Sequence, residues 1–252
     1  MKNIFKRLKR VNGQSLAEFA VTTAMMATLA TTAAPKFSGV GEGAKEKKTL
    51  ADIDKILKAA NNFYNEQVTQ AGRGRFPGQS KYNTPVPSSD LEDVDGGYTY
   101  TESQGQAYAE NLVKAALDGV EADDDAGTAA AEATFNNYKS SDASNWASVF
   151  GTDTEGGKIP SGHSVNTAED VRAGVNIDDP NYDIGQYVGA EEFLDTFGGD
   201  PINSPFQDGH YIYTVIAGGG TGTQSVAPII FVADLESPAS FYKKLQPKNH
   251  KP

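Results

Sequence analysis

The side chains that could carry catalytic or zinc chemistry are few and scattered in this chain. Its 252 residues include no cysteine and three histidines, His163, His210 and His250, which lie far apart. Zinc sites and nucleophilic enzymes need such side chains at short, recurring spacings, and the chain has neither those spacings nor a GxSxG sequence. We therefore expect surface histidines, no resident cofactor and no enzymatic activity.

Aspartate clusters are the remaining candidates for a metal site. Residues 123–125 are consecutive aspartates, and Asp178, Asp179 and Asp183 form a second group. Carboxylate oxygens suit Ca²⁺, a hard cation, but neither group follows the spacing of an EF-hand loop. We favour solvated loop charge as the interpretation, and Ca²⁺ at the second group stays open as the alternative.

A single acidic residue, Glu18, borders a stretch that predicts an apolar helix. Residues 19–35 carry no charge and consist mainly of alanine, other apolar residues and threonine. Extended on either side, the stretch reaches the roughly 20 residues that a helix needs to cross a bilayer. Its small residues let helix backbones approach closely, which suits packing against copies of the same helix. A carboxylate in hydrocarbon is costly unless it is protonated or paired, so Glu18 requires an explanation.

Three interpretations of this N-terminus compete. A secretory signal peptide has such a basic start and apolar middle, but Glu18 interrupts it and Pro35 follows the small residues where cleavage would occur. A plain uncleaved membrane anchor would bear the free-energy cost of Glu18 in the membrane and give that residue no function. The third interpretation gives Glu18 a purpose and is a resemblance to a known family.

That family is the type IV pilins and pseudopilins. The run Lys9-Arg10-Val11-Asn12-Gly13, followed by Gln14-Ser15-Leu16-Ala17-Glu18-Phe19, resembles their prepilin peptidase site. The family has a basic leader ending in glycine, a glutamate five residues later and commonly a proline twenty-two residues later; Glu18 and Pro35 stand at those distances from Gly13. Gln14 in place of phenylalanine and the high threonine content depart from the family pattern.

The resemblance implies a role for each of these residues. Prepilin peptidase would cut between Gly13 and Gln14 and methylate the new amine, with which Glu18 of a neighbouring subunit would pair. Glu18, Phe19 and Pro35 would then belong to an assembly helix. The implied partners are identical subunits in a helical filament, the peptidase, an inner-membrane platform and an assembly ATPase. The implied location is the inner membrane before assembly and an extracellular or periplasmic filament afterwards.

Charge is distributed unevenly along the chain. Five basic residues and no acidic residue precede Gly13, so their removal takes the formal net charge from −11 to −16. A basic segment next to an apolar one favours the cytoplasmic face of a membrane. A body this acidic repels phosphates, and we expect no nucleic-acid partner.

Beyond residue 35 the pattern predicts a helix over 42–70. Apolar residues recur there at spacings of three and four, in a stripe long enough to pack against a sheet. The stripe consists of Leu50, Ile53, Ile56, Leu57, Ala60, Phe63, Tyr64 and Val68. Asp52 and other polar residues are assigned to the opposite face. Pro35 and the glycines at 39, 41 and 43 predict a kink, a local break or a helix end before this stretch.

The middle of the chain is the least regular part. Short helices are predicted over 104–117, 129–138, 168–171 and 190–197, and residues 145–150, with the only tryptophan, fit a buried strand or a helix start. The stretch is longer than a small pseudopilin requires. We therefore interpret 71–199 as an inserted, surface-exposed variable region.

The C-terminal part predicts an antiparallel hairpin. Residues 211–216 form a β-branched and aromatic strand, 218–223 a glycine-rich tip and 226–232 the returning strand. The glycine run lacks the lysine and the helix of a phosphate-binding loop. The pair Phe76-Pro77 and residues 200–206 resemble segments that follow the long helix and precede the sheet in pseudopilins.

These features predict an α+β, pilin-like fold with a long N-terminal helix, membrane-spanning in its first half, packed on a small C-terminal antiparallel sheet. The expected divisions are a leader at 1–13, a membrane and assembly half-helix at 14–36, an amphipathic half-helix at 37–70, a helical and loop insertion at 71–199 and the sheet region at 200–252. The predicted function is that of a pilus filament subunit. The alternatives are a type II secretion pseudopilin, an exported binding or adhesive protein with an ordinary signal peptide, and an exported enzyme.

Overall fold

A computed structural model describes the backbone of residues 2–87, 97–118, 145–151, 189–206, 210–220 and 224–248. Within these ranges, the side chains of residues 2–18 and 25–40 lie outside the description. The chain divides into two compact units, residues 1–47 and residues 48–252.

The first element is one long helix, α1, Lys2–Ala71. The helix ends at Ala71, and Gly72 caps it. Gly72 has a φ of 75°, and its N–H donates to the carbonyl of Val68 at 2.9 Å. Glycine adopts this left-handed conformation without the steric cost that a side chain brings, so the helix ends where the apolar stripe ends. The helix predicted over 42–70 lies within α1 and is confirmed.

The predicted break or helix end after Pro35 is not found. The helical backbone continues through Pro35 and the glycines at 39, 41 and 43. Proline in a helix interior costs about 3 kcal/mol and each glycine about 1 kcal/mol relative to alanine, and helical turns on both sides outweigh these local losses. The prediction was wrong because it took local propensity as decisive. A kink that preserves the helix stays a prediction.

Four antiparallel strands form a sheet with the spatial order β1-β2-β3-β4. The strands are β1, Ala147–Ser148; β2, Tyr211–Ile216; β3, Ile229–Asp234; and β4, Tyr242–Leu245. β2 and β3 pair along their whole length. The other edge of β2 pairs with β1 and, through an isolated bridge at Val215, with Val86. The α+β class and the antiparallel hairpin are confirmed. The returning strand begins at Ile229 rather than at the predicted residue 226.

The sheet has a core on each of its faces, since β2 and β3 are buried throughout. Tyr211 and Tyr213 pack with the apolar stripe of α1. Ile212 and Ile216 belong to a second cluster with the helix α2, Gln106–Asp118. Alternate side chains of a strand point to opposite faces, so a continuous apolar run supplies both cores.

Parts of the predicted insertion belong to these cores. α2 confirms the helix predicted over 104–117, and α3, Gly189–Thr196, confirms the one over 190–197. Trp146 and Phe193 have no exposed surface. The expectation of a surface-exposed insertion is wrong for these residues, because partners distant in sequence bury them. The helices predicted over 129–138 and 168–171 lie outside the described residues.

β4, the last strand of the described sheet, carries two lysines directed to opposite faces. Lys243 Nζ lies 2.7 Å from Oδ2 of Asp54 on α1, and Lys244 Nζ bonds to the carboxylate of Glu110 on α2. Glu110 also pairs with Lys114 at 2.6 Å. Burial opposes the charge of Glu110, yet the two lysines bonded to it hold the pKa of this carboxyl below its ordinary value.

Candidate functional site

Residues 19–24 of α1, directly after Glu18, present an apolar surface to solvent. Among the large hydrophobic side chains that the structure describes, Phe19 and Val21 are the exposed ones, at 72% and 54%. Full burial of such side chains stabilises by about 1.5–3 kcal/mol each. This surface therefore favours contact with lipid or with another protein.

Thr22 and Thr23 satisfy their hydroxyls within the same helix. Both donate to the carbonyl of Phe19, at 2.9 Å and 2.7 Å. A hydroxyl bonded to its own backbone does not depend on water, so it can enter an apolar environment without an unpaired donor. The threonines of this segment are thereby compatible with an apolar neighbour.

The remaining predicted processing and assembly residues, Gly13, Gln14, Glu18 and Pro35, lie on α1, and their side chains fall outside the description. Over the residues that are described, no helix combines the length and the apolar character needed to cross a membrane. Cleavage after Gly13 and pairing of Glu18 with an amine stay predictions.

The second half of α1 carries a buried carboxylate, Asp52, against the sheet. Lys48 and Lys55 lie 3.1 Å and 2.7 Å from its oxygens, and the hydroxyl of Tyr211 donates to it at 3.4 Å. Burial alone would raise the pKa of Asp52, but the bonds and charges of the two lysines prevail and lower it. The sequence-based assignment of Asp52 to the solvent face is wrong. The sequence contained a sign of this burial. Ile56, which is buried, lies one helical turn after Asp52 on the same face, and lysines that can neutralise Asp52 lie within one turn of it.

Asp234, at the end of β3, is a second buried carboxylate beside Tyr211. Its Oδ2 accepts from the Ser204 hydroxyl at 2.7 Å, and its Oδ1 accepts from the Glu236 N–H at 3.1 Å. Burial raises the pKa of Asp234 to about 6, although both hydrogen bonds favour the charged form. Burial and the two carboxylates raise the pKa of Tyr211, so its hydroxyl remains a donor.

Polar contacts hold two segments in place, residues 200–206 and the turn that contains Phe76-Pro77. Residues 200–206 are fixed by Ser204 to Asp234 and by Lys48, which donates to the Asn203 carbonyl at 2.9 Å. In the turn after α1, which contains Phe76-Pro77, Arg75 forms two hydrogen bonds to Glu192 of α3, at 2.6 Å and 3.1 Å. A bidentate arginine–carboxylate pair fixes both distance and orientation.

The Asp234→Asn variant is expected to have a flatter dependence of stability on pH than the wild type. The folded-state pKa of Asp234, about 6, exceeds the ordinary 3.8, so the folded protein binds more protons than the unfolded chain between these values. The stability contributed by this group is therefore fully present below about pH 3.8 and is lost as pH rises through about 6, by about 3 kcal/mol in total.

Urea unfolding between about pH 5.5 and about pH 7.5 measures the last part of this loss, roughly 1 kcal/mol. The range avoids the isoelectric point near 4.7, where low net charge promotes precipitation. Subtracting the two profiles removes the contribution of the histidines, which both proteins share. Asp54→Asn, which removes a carboxylate from the more exposed pair with Lys243, is the matched control and should keep the wild-type slope. Identical slopes for Asp234→Asn and the wild type would contradict the prediction.

The prediction of a surface histidine is wrong for His210. Its side chain is 4% exposed, and its Nε2 lies 2.5 Å from Oγ of Ser148. The same oxygen accepts from the N–H of Gly151 at 2.9 Å, which closes the turn after β1. A nucleophile must be reachable by substrate, and both side chains are buried, so the pair suits a structural role. His163 and His250 lie outside the described residues.

The aspartates proposed for Ca²⁺, Asp178, Asp179 and Asp183, also lie outside the described residues, as do residues 123–125. In the part of the chain that is described, no three histidine or acidic side chains gather into a group able to hold a metal ion.

No protein-family model, curated protein or solved structure matches this chain. The functional conclusion therefore depends on its own residues and their geometry.

Proposed function

We propose that this chain is the structural subunit of a type IV pilus-like filament. Prepilin peptidase removes residues 1–13, and the first half of α1 holds the remaining chain in the inner membrane. An assembly platform with its ATPase then adds the subunit to a helical filament, in which copies pack through residues 19–35. The packed unit that begins at Lys48 is carried along on the same helix.

The observation that carries the proposal is the uncovered apolar surface at Phe19 and Val21, directly after Glu18. Packing this surface against copies of the helix removes it from water. The hydroxyls of Thr22 and Thr23 cost little on burial, because they are already bonded to the Phe19 carbonyl. A filament interior built from this helix therefore fits both the apolar and the polar side chains.

Glu18 supplies the register between subunits in this proposal. A charged carboxylate in the middle of an apolar layer costs about 2.5–3.5 kcal/mol on insertion scales. Cleavage after Gly13 creates an amine on Gln14, which neutralises Glu18 of a neighbouring subunit. The pair forms at one axial stagger of the two helices, so it fixes how far each subunit advances.

The mature protein is expected to begin at Gln14 with a methylated amine. Mass spectrometry of the intact chain, isolated from membranes and from sheared filaments of its own host, measures this directly. A mature chain that starts near Pro35 would indicate an ordinary signal peptide and an exported binding protein. A chain that still starts at Met1 would indicate a plain anchor, and either result would overturn the proposal.

A secretion pseudopilus is the second candidate, since it uses the same assembly chemistry. It is favoured by Phe76-Pro77 and by residues 200–206, the two pseudopilin-like segments that polar contacts hold in place. Electron microscopy of sheared surface material with antibody labelling separates the candidates. Labelled surface filaments support a pilus, and a subunit confined to the periplasm supports a pseudopilus.

A further inference from the structure

A tyrosine-lined cleft lies beside α2. Its volume is about 500 Å³, within the roughly 300–1,000 Å³ of small-molecule sites. Tyr98, Tyr100 and Tyr108 line it, and the ten lining residues that the structure describes carry no charged side chain. The described walls offer no charged group to pair with an ionic ligand, so they suit a ligand that is itself neutral.

The walls of the cleft are fixed by contacts to the core. The hydroxyl of Tyr100 donates to the carbonyl of Ala217 at 3.0 Å. The ring of Tyr98 meets buried Trp146 edge-on, with centroids 6.5 Å apart and planes at 84°. In the turn before α2, Oε1 of Gln104 accepts from both the N–H and the hydroxyl of Thr101, each at 2.9 Å. These side chains are already ordered, so binding a ligand here would cost little conformational entropy.

Neutral hydrogen-bonding groups surround these rings. Four of these groups lie at the cleft without a hydrogen-bond partner in the described part of the chain. They are the hydroxyls of Thr99 and Tyr108, the side-chain amide of Asn145 and the amide NH2 of Gln104. The set includes donors and acceptors in similar numbers. Such a set suits a ligand that also carries both.

We propose that this cleft binds a neutral hexopyranose unit of a glycan. A pyranose ring has an apolar C–H face that packs on aromatic rings and hydroxyl groups that both donate and accept. A proline-rich peptide also packs on tyrosines, but proline has no N–H and leaves the acceptors of the cleft unused. The inference does not depend on filament formation, because every lining residue lies in the unit of residues 48–252.

Titration of the full-length protein with neutral sugars tests the proposal. The probes are methyl glucoside, methyl galactoside, N-acetylglucosamine, cellobiose, lactose and chitobiose, with glucose 6-phosphate as a charged comparison. A zwitterionic detergent is used, since the headgroup of an alkyl glycoside would itself compete. The single tryptophan, Trp146, lies against Tyr98 and reports binding by fluorescence. We expect saturable binding of at least one neutral sugar with a Kd on the order of 1 mM, and weaker binding of the phosphate.

Variants at the cleft separate this site from non-specific binding. Tyr108→Ala removes a ring and is expected to weaken binding about tenfold, whereas Tyr108→Phe keeps the ring and weakens it less. Asn145→Ala should also weaken binding, and Asn62→Ala, on the exposed surface of α1, is its matched control. Circular dichroism checks that each variant is folded. The proposal is overturned if no neutral sugar binds, if Tyr108→Ala and Asn145→Ala both bind as the wild type does, or if a proline-rich peptide binds and the sugars do not.

Discussion

The Glu18→Ala variant is expected to lose its leader normally and yet to yield at least about tenfold fewer filaments than the wild type. In the proposed mechanism, cleavage acts at Gly13, whereas Glu18 acts later, as the partner of an incoming amine. Without Glu18 that amine is left uncompensated in an apolar filament interior, which costs about 3–5 kcal/mol for a buried pair with one member removed. The measurements are the mature mass of the subunit and the amount of subunit in the sheared fraction.

Glu66→Ala is the matched control for this experiment. Glu66 is an exposed glutamate in the second half of the same helix, where it accepts from the amide of Gln70 at 3.0 Å. Its replacement should leave filament yield unchanged. Normal filaments from Glu18→Ala would refute the pairing, and a retained leader in that variant would show instead that Glu18 serves the peptidase.

Replacing Trp146 with alanine is expected to lower the free energy of unfolding by about 3–5 kcal/mol. The side chain is fully buried, meets the ring of Tyr98 and belongs to the cluster between α2 and the sheet. Alanine leaves a cavity that the neighbouring elements cannot close, so much of the marginal stability of a domain is lost. Trp146→Phe keeps an aromatic ring in the cluster and should cost less.

Urea unfolding followed by far-UV circular dichroism measures the effect of Trp146→Ala. Fluorescence is unsuitable, because the variant has no tryptophan left. Asn62→Ala, at an exposed position of α1, should change stability by no more than about 0.5 kcal/mol. A loss below about 1 kcal/mol for Trp146→Ala would show that the segment around β1 is dispensable to the core.

Elements with strong local periodicity were predictable from the sequence. The predicted strand at 211–216 coincides with β2, and α2 lies within two residues of its predicted bounds. Both have a run of side chains whose period matches one secondary structure, so local pattern and tertiary packing agree. The processing motif around Gly13 and Glu18 is also local and visible in the sequence, whereas the exposure of Phe19 and Val21 that carries the proposal comes from the structure.

The errors concern features that depend on contacts between distant parts of the chain. β1 has two residues, too few for any period, and its burial depends on pairing with β2. Likewise, buried His210 bonds to Ser148, a residue that lies more than fifty positions earlier in the sequence. The tyrosine-lined cleft forms where residues 97–116 meet Asn145, which is distant in sequence, so no local pattern reveals it.

The lysines of β4 have a consequence for how this protein behaves at high concentration. An open strand edge is a template on which another chain can add a strand, and this is how many sheets begin to form amyloid. Here both lysines of that strand are engaged with opposite helices, Lys243 with Asp54 and Lys244 with Glu110. An intruding strand would have to accommodate two fixed cations flanking the edge, which obstructs growth of the sheet from one molecule to the next. The two ion pairs thereby disfavour irreversible addition of strands between copies of this protein, a form of association that would compete with the proposed packing through helices.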